Sequence, residues 1–416
     1  MEQPASQRRL LATIFLTVFI DLLGVGLIIP IIAPLFTDSH VVLGPEVSAQ
    51  TRKQLYGLLV AMFPLCQFFS APMLGSLSDR YGRKPVLFWS LFTTFASFLM
   101  FAFGIQSGML WMLFVSRGLQ GAAAGNLSVI YSAIADSSDS ASRTRNFGLV
   151  GVAFGMGFII GPAIGGYLSD STHISWFDKS TPFFASAGLV LVNILLVRFQ
   201  FPETLRTPNP SVQLRLDTGI RNLGKAFSNP ALQRVFATIF FFSFGFTMFT
   251  QFFQIYLIER FNFKEVDIGQ LFAFIGLVGA LTQGLLVRAL SKRFSPRQIL
   301  PVSLLTLASG YLAALLPQAG WQMYLTVPLV AISQGLTMPN FSSLISSSAP
   351  PHMQGETLGI QQSVMSVGQF LPLILGGFAV AQLLSAPMLL GAASTVIAWG
   401  MFMWNESVRR RADAAA

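Results

Sequence analysis

Charge is scarce in this sequence. Only 10% of its 416 residues are Asp, Glu, Lys or Arg, against roughly 25% in an average soluble domain. So few charges cannot furnish a water-facing surface for a chain of this length, and lipid is the solvent that remains. Cysteine is nearly absent: the single Cys66 excludes an intrachain disulfide framework and any cysteine-rich metal site. The three histidines, His40, His173 and His352, fall in or near expected loops and share no ligand spacing. No metal or cofactor is therefore expected.

Hydrophobic residues make up 53% of the chain, with 40 phenylalanines that suit lipid-facing helices. A membrane-spanning helix needs about 20 apolar residues. Twelve runs qualify, near 10–36, 54–76, 85–105, 109–135, 145–168, 181–200, 232–258, 267–290, 298–317, 321–347, 355–381 and 385–404. Gly and Pro interrupt many of them, as membrane helices tolerate. The first run follows Arg8 and Arg9, is too long for a signal-peptide core, and reads as a spanning helix rather than a leader.

The formal charge of +9 could suggest nucleic acid, but its distribution points to membrane orientation. Twelve spans put both termini on one side. Lys and Arg number 20 on that side and 5 on the other (Arg52, Lys53, Lys179, Arg260 and Lys264), with Arg117 inside a span. By the positive-inside rule the termini are cytoplasmic, and no nucleic-acid partner is expected.

The chain also repeats itself. Gln120, Gly121 and Asn126 in the fourth span match Gln334, Gly335 and Asn340 in the tenth at an offset of 214. Gly148, Gly157, Gly165 and Gly166 match Gly359, Gly368, Gly376 and Gly377 at 211, and Leu77, Ser78 and Arg80 match Leu290, Ser291 and Arg293 at 213. These near-equal offsets divide the chain into two six-helix bundles, 1–200 and 231–416, joined by a polar linker at 201–230 with Pro202, Pro208, Pro210 and Pro230. Such repeats are characteristic of secondary transporters. The expected fold is all-α and membrane-integral, twelve helices in two pseudo-symmetric bundles.

One segment is a decoy. Gly219 to Ala226 almost spells a phosphate-binding loop, with Gly224 and Lys225 in place. Ala226 replaces the hydroxyl residue that would hold magnesium, and no strand precedes it. ATP is not the expected energy source.

Several motifs carry a family resemblance. Gly75-Ser-Leu-Ser-Asp79-Arg80-Tyr-Gly82-Arg83-Lys84 resembles motif A of the major facilitator superfamily. Arg117-Gly-Leu-Gln120-Gly121 resembles its motif B, and Gly157 through Gly161, Pro162, Gly165 and Gly166 resembles the antiporter motif C. Pro202-Glu203-Thr204 resembles the sequence that commonly follows the sixth helix. Asp21-Leu-Leu-Gly24-Val-Gly26-Leu-Ile-Ile-Pro30 is similar to the tetracycline/proton antiporters and the wider twelve-helix drug/proton antiporter group. Two departures stand out: the second proline of the first helix is Pro34, one residue late, and Lys292 replaces the motif A aspartate in the second half.

The resemblance implies a latch on the inner side. Asp79 would sit against the N-terminus of the eleventh span near Gly355 to Gly359, where a helix dipole favours a carboxylate. Asp136, at the inner end of the fourth span, can pair with Arg80 or Arg83. The small residues of motif C permit close helix approach, and Pro162 can bend its helix.

Asp21 and Arg117 are the ionisable residues clearly at membrane depth. Asp21 lies 12 residues past Arg9, roughly 18 Å into a core about 30 Å thick. Arg117 lies at a matching depth from the opposite face. Intramembrane charges are functional by default and usually partnered, so the two are expected to couple protons to transport. Burial favours the neutral form of a carboxyl and a nearby cation favours the charged form. Asn126, Gln251, Gln254, Gln334, Asn340, Gln362 and Gln369 are candidate solute-binding residues; Gln283 and Gln361 are further intramembrane amides that can serve as interhelical glue.

With these features, the resemblance implies a proton-coupled multidrug exporter in a bacterial inner membrane as the expected function. It would move lipophilic or amphipathic small molecules by alternating access, and is expected to be a monomer. The alternatives are an importer or a lipid, siderophore or metabolite transporter on the same fold; a channel; or a membrane enzyme, for which the sequence offers no cluster of His, Cys or carboxylate groups at membrane depth. Topology is directly testable. Reporter fusions after Arg206 and after Lys179 should report opposite sides of the membrane, the former cytoplasmic; the same side for both would overturn the helix count.

Overall fold

The computed structural model describes residues 5–38, 42–137, 143–172, 174–205, 207, 217–228, 230–348 and 354–415. The three histidines lie outside them. The regular elements are helices: α1 (Ala5–Thr37), α2 (Ala49–Tyr81), α3 (Arg83–Ser107), α4 (Leu110–Ala123), α5 (Asn126–Ser137), α6 (Arg143–Leu168), α7 (Thr181–Gln200), α8 (Thr218–Ser228), α9 (Pro230–Phe261), α10 (Glu265–Leu281), α11 (Arg288–Leu290), α12 (Pro296–Ala313), α13 (Met323–Ser348), α14 (Gln354–Gln382) and α15 (Ala386–Ala415). Among the described residues, 8 helices are long and apolar enough to cross a membrane. The other four of the twelve expected spans are the α4–α5 pair, α6, α12 and α13. In the eighth span a π-helical turn, Thr282–Val287, joins α10 to α11.

One helix belongs to no span. α8 lies inside the segment read as a polar linker, and it contains the decoy Gly219 to Ala226. Helical geometry commits most of that segment's backbone N–H groups to intrahelical bonds, leaving no loop to cradle a phosphate. Asn222 of α8 donates to the Ser363 hydroxyl of α14 at 3.1 Å.

The helices gather into two compact units. The first holds residues 1–47, 62–218 and 264–276; the second holds 48–61, 219–263 and 277–416. They do not coincide with the sequence halves, because the first part of α2 packs within the second unit and the first part of α10 within the first.

In the first unit α6 is gripped on two faces. Gly157, Gly161 and Gly165, spaced i, i+4, i+8, form one stripe, and this stripe presses on α1. A methyl group at Gly161 would lie 2.6 Å from the Gly26 Cα, and one at Gly157 would lie 2.8 Å from the Leu22 Cβ. Phe158, Pro162 and Gly166 form the second stripe, against α10. A methyl group at Gly269 would collide with the Pro162 carbonyl; one at Gly276 would lie 2.8 Å from that of Phe158, and one at Gly166 would lie 2.5 Å from that of Glu265. Lipid tails are as apolar as leucine, so helices in a bilayer associate through such close packing and through interhelical hydrogen bonds. The latter tie α7 to α1: Asn193 donates to the Thr17 carbonyl at 2.9 Å and Ser186 to that of Gly24 at 2.9 Å.

The second unit adds packed rings to glycine contacts of the same kind, such as Gly245, where a methyl group would lie 2.6 Å from the Gly391 carbonyl. Phe249 stacks on Tyr311 with centroids 4.5 Å apart and on Phe253 at 4.7 Å; Phe242 meets Phe341 at 5.4 Å. Phe236, Phe242, Phe249, Phe252 and Phe253 are fully buried. Phenylalanine, read from the sequence as a lipid-facing residue, thus also fills the interior here. Its flat ring offers large contact area between helices that gain little from burial alone. At the start of α2 the Tyr56 hydroxyl donates to the Gln251 carbonyl at 2.6 Å, and Lys53 pairs with Glu259 at 2.8 Å.

These close approaches make α6 intolerant of added volume. Gly161→Val should lower stability by about 3 kcal/mol, the upper end for overpacking, and reduce the melting temperature of the purified protein. Gly188→Ala on α7, where an added methyl meets nothing within 4 Å, should melt at or above the wild-type temperature. Equal melting of Gly161→Val and wild type would refute the close-packing account.

Candidate functional site

The fourth span is broken. α4 ends at Ala123, α5 begins at Asn126, and Gly125 sits in the gap. Side chains from neighbouring helices answer the carbonyls released there: Ser90 donates to Ala123 at 2.7 Å, Ser70 to Gly121 at 3.2 Å and Gln67 to Ala124 at 3.4 Å. Without water to hydrate them, those carbonyls need partners from the protein. The break is also tightly seated: a methyl group at Gly121 would collide with the Phe63 carbonyl, and one at Gly125 would lie 2.8 Å from the Ala71 Cα.

The break sets Asn126 at the start of α5, buried, with its Nδ2 donating to Asp21 Oδ2 at 3.2 Å. Asp21 is partly buried in the middle of α1. Arg117, about two turns before the break, donates to Gln120 Oε1 at 2.8 Å, and its guanidinium lies 5.1 Å from the centre of the Phe63 ring. Asp21 and Arg117, expected as partners from their matching depth, are not among the ion pairs of the described residues. Depth along a helix says nothing of azimuth, and Gln120, three residues on from Arg117, shares its helix face. Asn126, expected to meet solute, is engaged with Asp21.

The motif A residues gather around Arg83. Gly82 has φ +107°, a conformation open chiefly to glycine, and there the chain turns from α2 into α3. The Arg83 guanidinium, with its side chain 6% exposed, donates to Ser78 Oγ at 2.6 Å, Asp79 Oδ1 at 2.5 Å and Asp136 Oδ2 at 3.0 Å. Of the two arginines expected to meet Asp136, Arg83 is the one that does. Arg80 instead lies over the Tyr81 ring at 5.3 Å. Gly75 brings α2 beside Ser128 of α5.

Glu203, whose role the sequence left open, completes the cluster. One carboxylate oxygen accepts from Arg83 N at 2.9 Å and Leu205 N at 2.9 Å, and the other from Lys84 N at 3.0 Å. A carboxylate from the segment after α7 thus caps the first turn of α3, where free amides and the helix dipole favour negative charge. Its only sequence signal was the Pro-Glu-Thr triplet.

The candidate solute-binding residues divide. Gln254 is buried with its Oε1 unpartnered, and Gln361 shares that condition. Asn340 is buried but donates to its own helix at Leu336 O, 2.7 Å away. Gln251, Gln334 and Gln369 are half-buried, and Gln362 is exposed. Next to Gln362, Gln361 is the buried amide, a difference of one residue and about 100° of helix rotation. Among the described residues no group of three His, Cys, Asp or Glu side chains could hold a metal ion.

Repeated bundles, a broken span beside an intramembrane carboxylate and a charged inter-helix turn define a polytopic membrane protein of the transporter type. Residues 14–372 match the Major Facilitator Superfamily, and the chain belongs to that family, one of transporters rather than enzymes. It is 30% identical to the class G tetracycline resistance protein of Vibrio anguillarum, covering 94% of this chain and 92% of that one. It is 29% identical to the class C protein of Escherichia coli, covering 84% of each. Among solved structures, the human organic anion transporter MFSD10 superposes with a TM-score of 0.73 at 21% identity, covering 96% of this chain and 100% of that one. A D-xylose–proton symporter gives 0.77 at 14% identity, covering 94% and 96%. These structural likenesses speak to fold.

The Arg83 cluster makes a geometric demand. Its Nε and Nη1 serve acceptors in different directions, which an ammonium cannot reproduce. Arg83→Lys and Arg83→Met should each insert into the membrane but lose stability, about 2 kcal/mol for Met, since charged hydrogen bonds are worth roughly 1.5–3 kcal/mol each and Asp79 and Asp136 keep partial access to solvent. Melting of the purified variants checks this; an Arg83→Lys protein as stable as wild type would rule out the fork requirement.

Proposed function

We propose that this chain is a proton-coupled exporter of lipophilic or amphipathic small molecules. It works by alternating access in a bacterial inner membrane, with both termini cytoplasmic. The observation that carries the reading is Asp21: a carboxyl in the middle of a membrane span, hydrogen-bonded to Asn126 at 3.2 Å. An ionisable group at that depth is costly to keep without a role. An apolar setting favours the neutral form of a carboxyl and approach of a cation the charged form, so a group at that depth can take up and release a proton as its surroundings change.

In this reading Asp21 carries the proton and Arg117 governs its release. Arg117 bonded to Gln120 is the arrangement suited to proton loading. A shift that brought the guanidinium to the carboxylate would expel the proton. Asn126, at the start of the helix that follows the break, holds the carboxyl in place through the cycle. Gln251, Gln254, Gln334, Asn340, Gln362 and Gln369 contribute polar contacts to solute among the aromatic side chains. Asp79, Arg83 and Asp136, with Gly75, Arg80 and Gly82, act as the inner latch, and motif C holds α6 as a rigid unit. The similarity to tetracycline resistance proteins, which extends over most of both chains, supports export and a compact, partly apolar solute. The excess of cations on the side of the termini supports the orientation.

Asp21→Asn mimics the protonated form and cannot cycle. In proteoliposomes with an imposed pH gradient it should abolish concentrative transport, by at least a hundredfold, while solute binding stays within a few-fold of wild type. Arg117→Ala should retain binding and couple poorly. Accumulation of solute against its gradient by Asp21→Asn would show that the coupling group lies elsewhere or that the driving ion is not the proton.

A further inference from the structure

A crevice of about 250 Å³ opens where the first turns of α3 meet the last turn of α7, lined by Lys84, Pro85, Phe88, Trp89 and Arg198. Two cations from two helices share it, and neither side chain has an ion-pair partner among the described residues. The neighbouring carboxylate, Glu203, is already held by the backbone amides of Arg83, Lys84 and Leu205, so it answers the helix terminus rather than the two side chains. The walls are aromatic, with the Phe88 and Trp89 rings edge to face at 5.6 Å. The outer flank is apolar and open: Trp89 is 63% exposed, Phe199 77%, Leu195 49% and Phe92 45%.

The crevice lies at the end of the bundle that the charge count assigns to the inner side, at the level where a spanning helix enters the bilayer. Tryptophan is enriched at that level, and basic pockets between helices on that side suit anionic head groups. A soluble anion would use the two cations alone and gain little from the exposed rings below them. A phosphodiester head group with acyl chains attached uses both: the phosphate meets Lys84 and Arg198, and the chains run down the flank of Trp89, Phe92 and Leu195.

We propose that the Lys84–Arg198 crevice is a binding site for an anionic glycerophospholipid of the inner leaflet. Because Lys84 follows Arg83 directly, a bound lipid would abut the turn that carries the charged cluster. The site does not depend on the transport reading and can be tested without any solute.

The test is native mass spectrometry of the full chain in mild detergent, titrated with phosphatidylglycerol or with phosphatidylcholine of the same acyl chains. Wild type should bind phosphatidylglycerol at least tenfold more tightly. A basic residue near an anionic membrane surface contributes roughly fivefold, so the double variant Lys84→Gln/Arg198→Gln should bind it roughly 25-fold more weakly. Lys84→Arg/Arg198→Lys should stay within threefold of wild type. Trp89→Ala, a lipid-facing change, should weaken lipid binding several-fold with an unchanged melting temperature. No preference for phosphatidylglycerol in wild type would overturn the proposal, as would undiminished binding by the double glutamine variant. Displacement of the lipid by equimolar glycerol 3-phosphate would assign the crevice to a soluble anion instead.

Discussion

A bilayer has no water to offer a backbone carbonyl, and the features of this protein that bear on function follow from how it meets that constraint. Continuous helices satisfy it internally. Where the fourth span is interrupted at Ala124 and Gly125, the constraint passes to side chains, and Ser70, Ser90 and Gln67 answer it. The interruption starts a new helix at Asn126, so that its amide reaches Asp21. A local departure from regular helix therefore creates the one carboxylate-centred site described inside the first unit's membrane spans, as discontinuous helices do elsewhere in transporters.

Packing follows the same logic in both units, with rings added in the second. Around α6, glycine brings backbones together until no Cβ fits, and the gain is many small attractions made at close range. Around α9, close glycine contacts, Gly245 on Gly391 and Gly368 on Phe240, are joined by stacked phenylalanine and tyrosine rings. The second unit also holds the amides Gln254 and Gln361, buried with oxygens unpartnered.

The end of the first unit that carries Arg83 concentrates charges in a small volume, and they are sorted by geometry. Arg83 serves three acceptors, Glu203 serves three amides, and Arg80 lies over a ring. Lys84 and Arg198 line the crevice between α3 and α7. Adjacent cations in one short motif thus divide into one that binds the turn together and one that lines the crevice.

Much of this was legible in the amino-acid order, because it depends on sums and periods. Charge scarcity named the solvent, apolar runs located the spans, repeated glycines and glutamines at offsets near 213 exposed the duplication, and the motifs around Asp79 and Pro162 pointed to the family. Partnerships were not legible in the same way. That Asp136 meets Arg83 rather than Arg80, that Asp21 meets Asn126 while Arg117 turns to Gln120, and that Gln361 is buried while Gln362 is exposed all depend on rotation about a helix axis. One residue of error there is about 100°. Glu203 acts on a helix that begins 120 residues earlier, a relation no local window contains. The helix in the linker and the interior phenylalanines depend on what lies across from them. Composition and periodicity determine which elements exist and which medium they inhabit. Only the packed structure, through azimuth and close approach, decides which side chains meet.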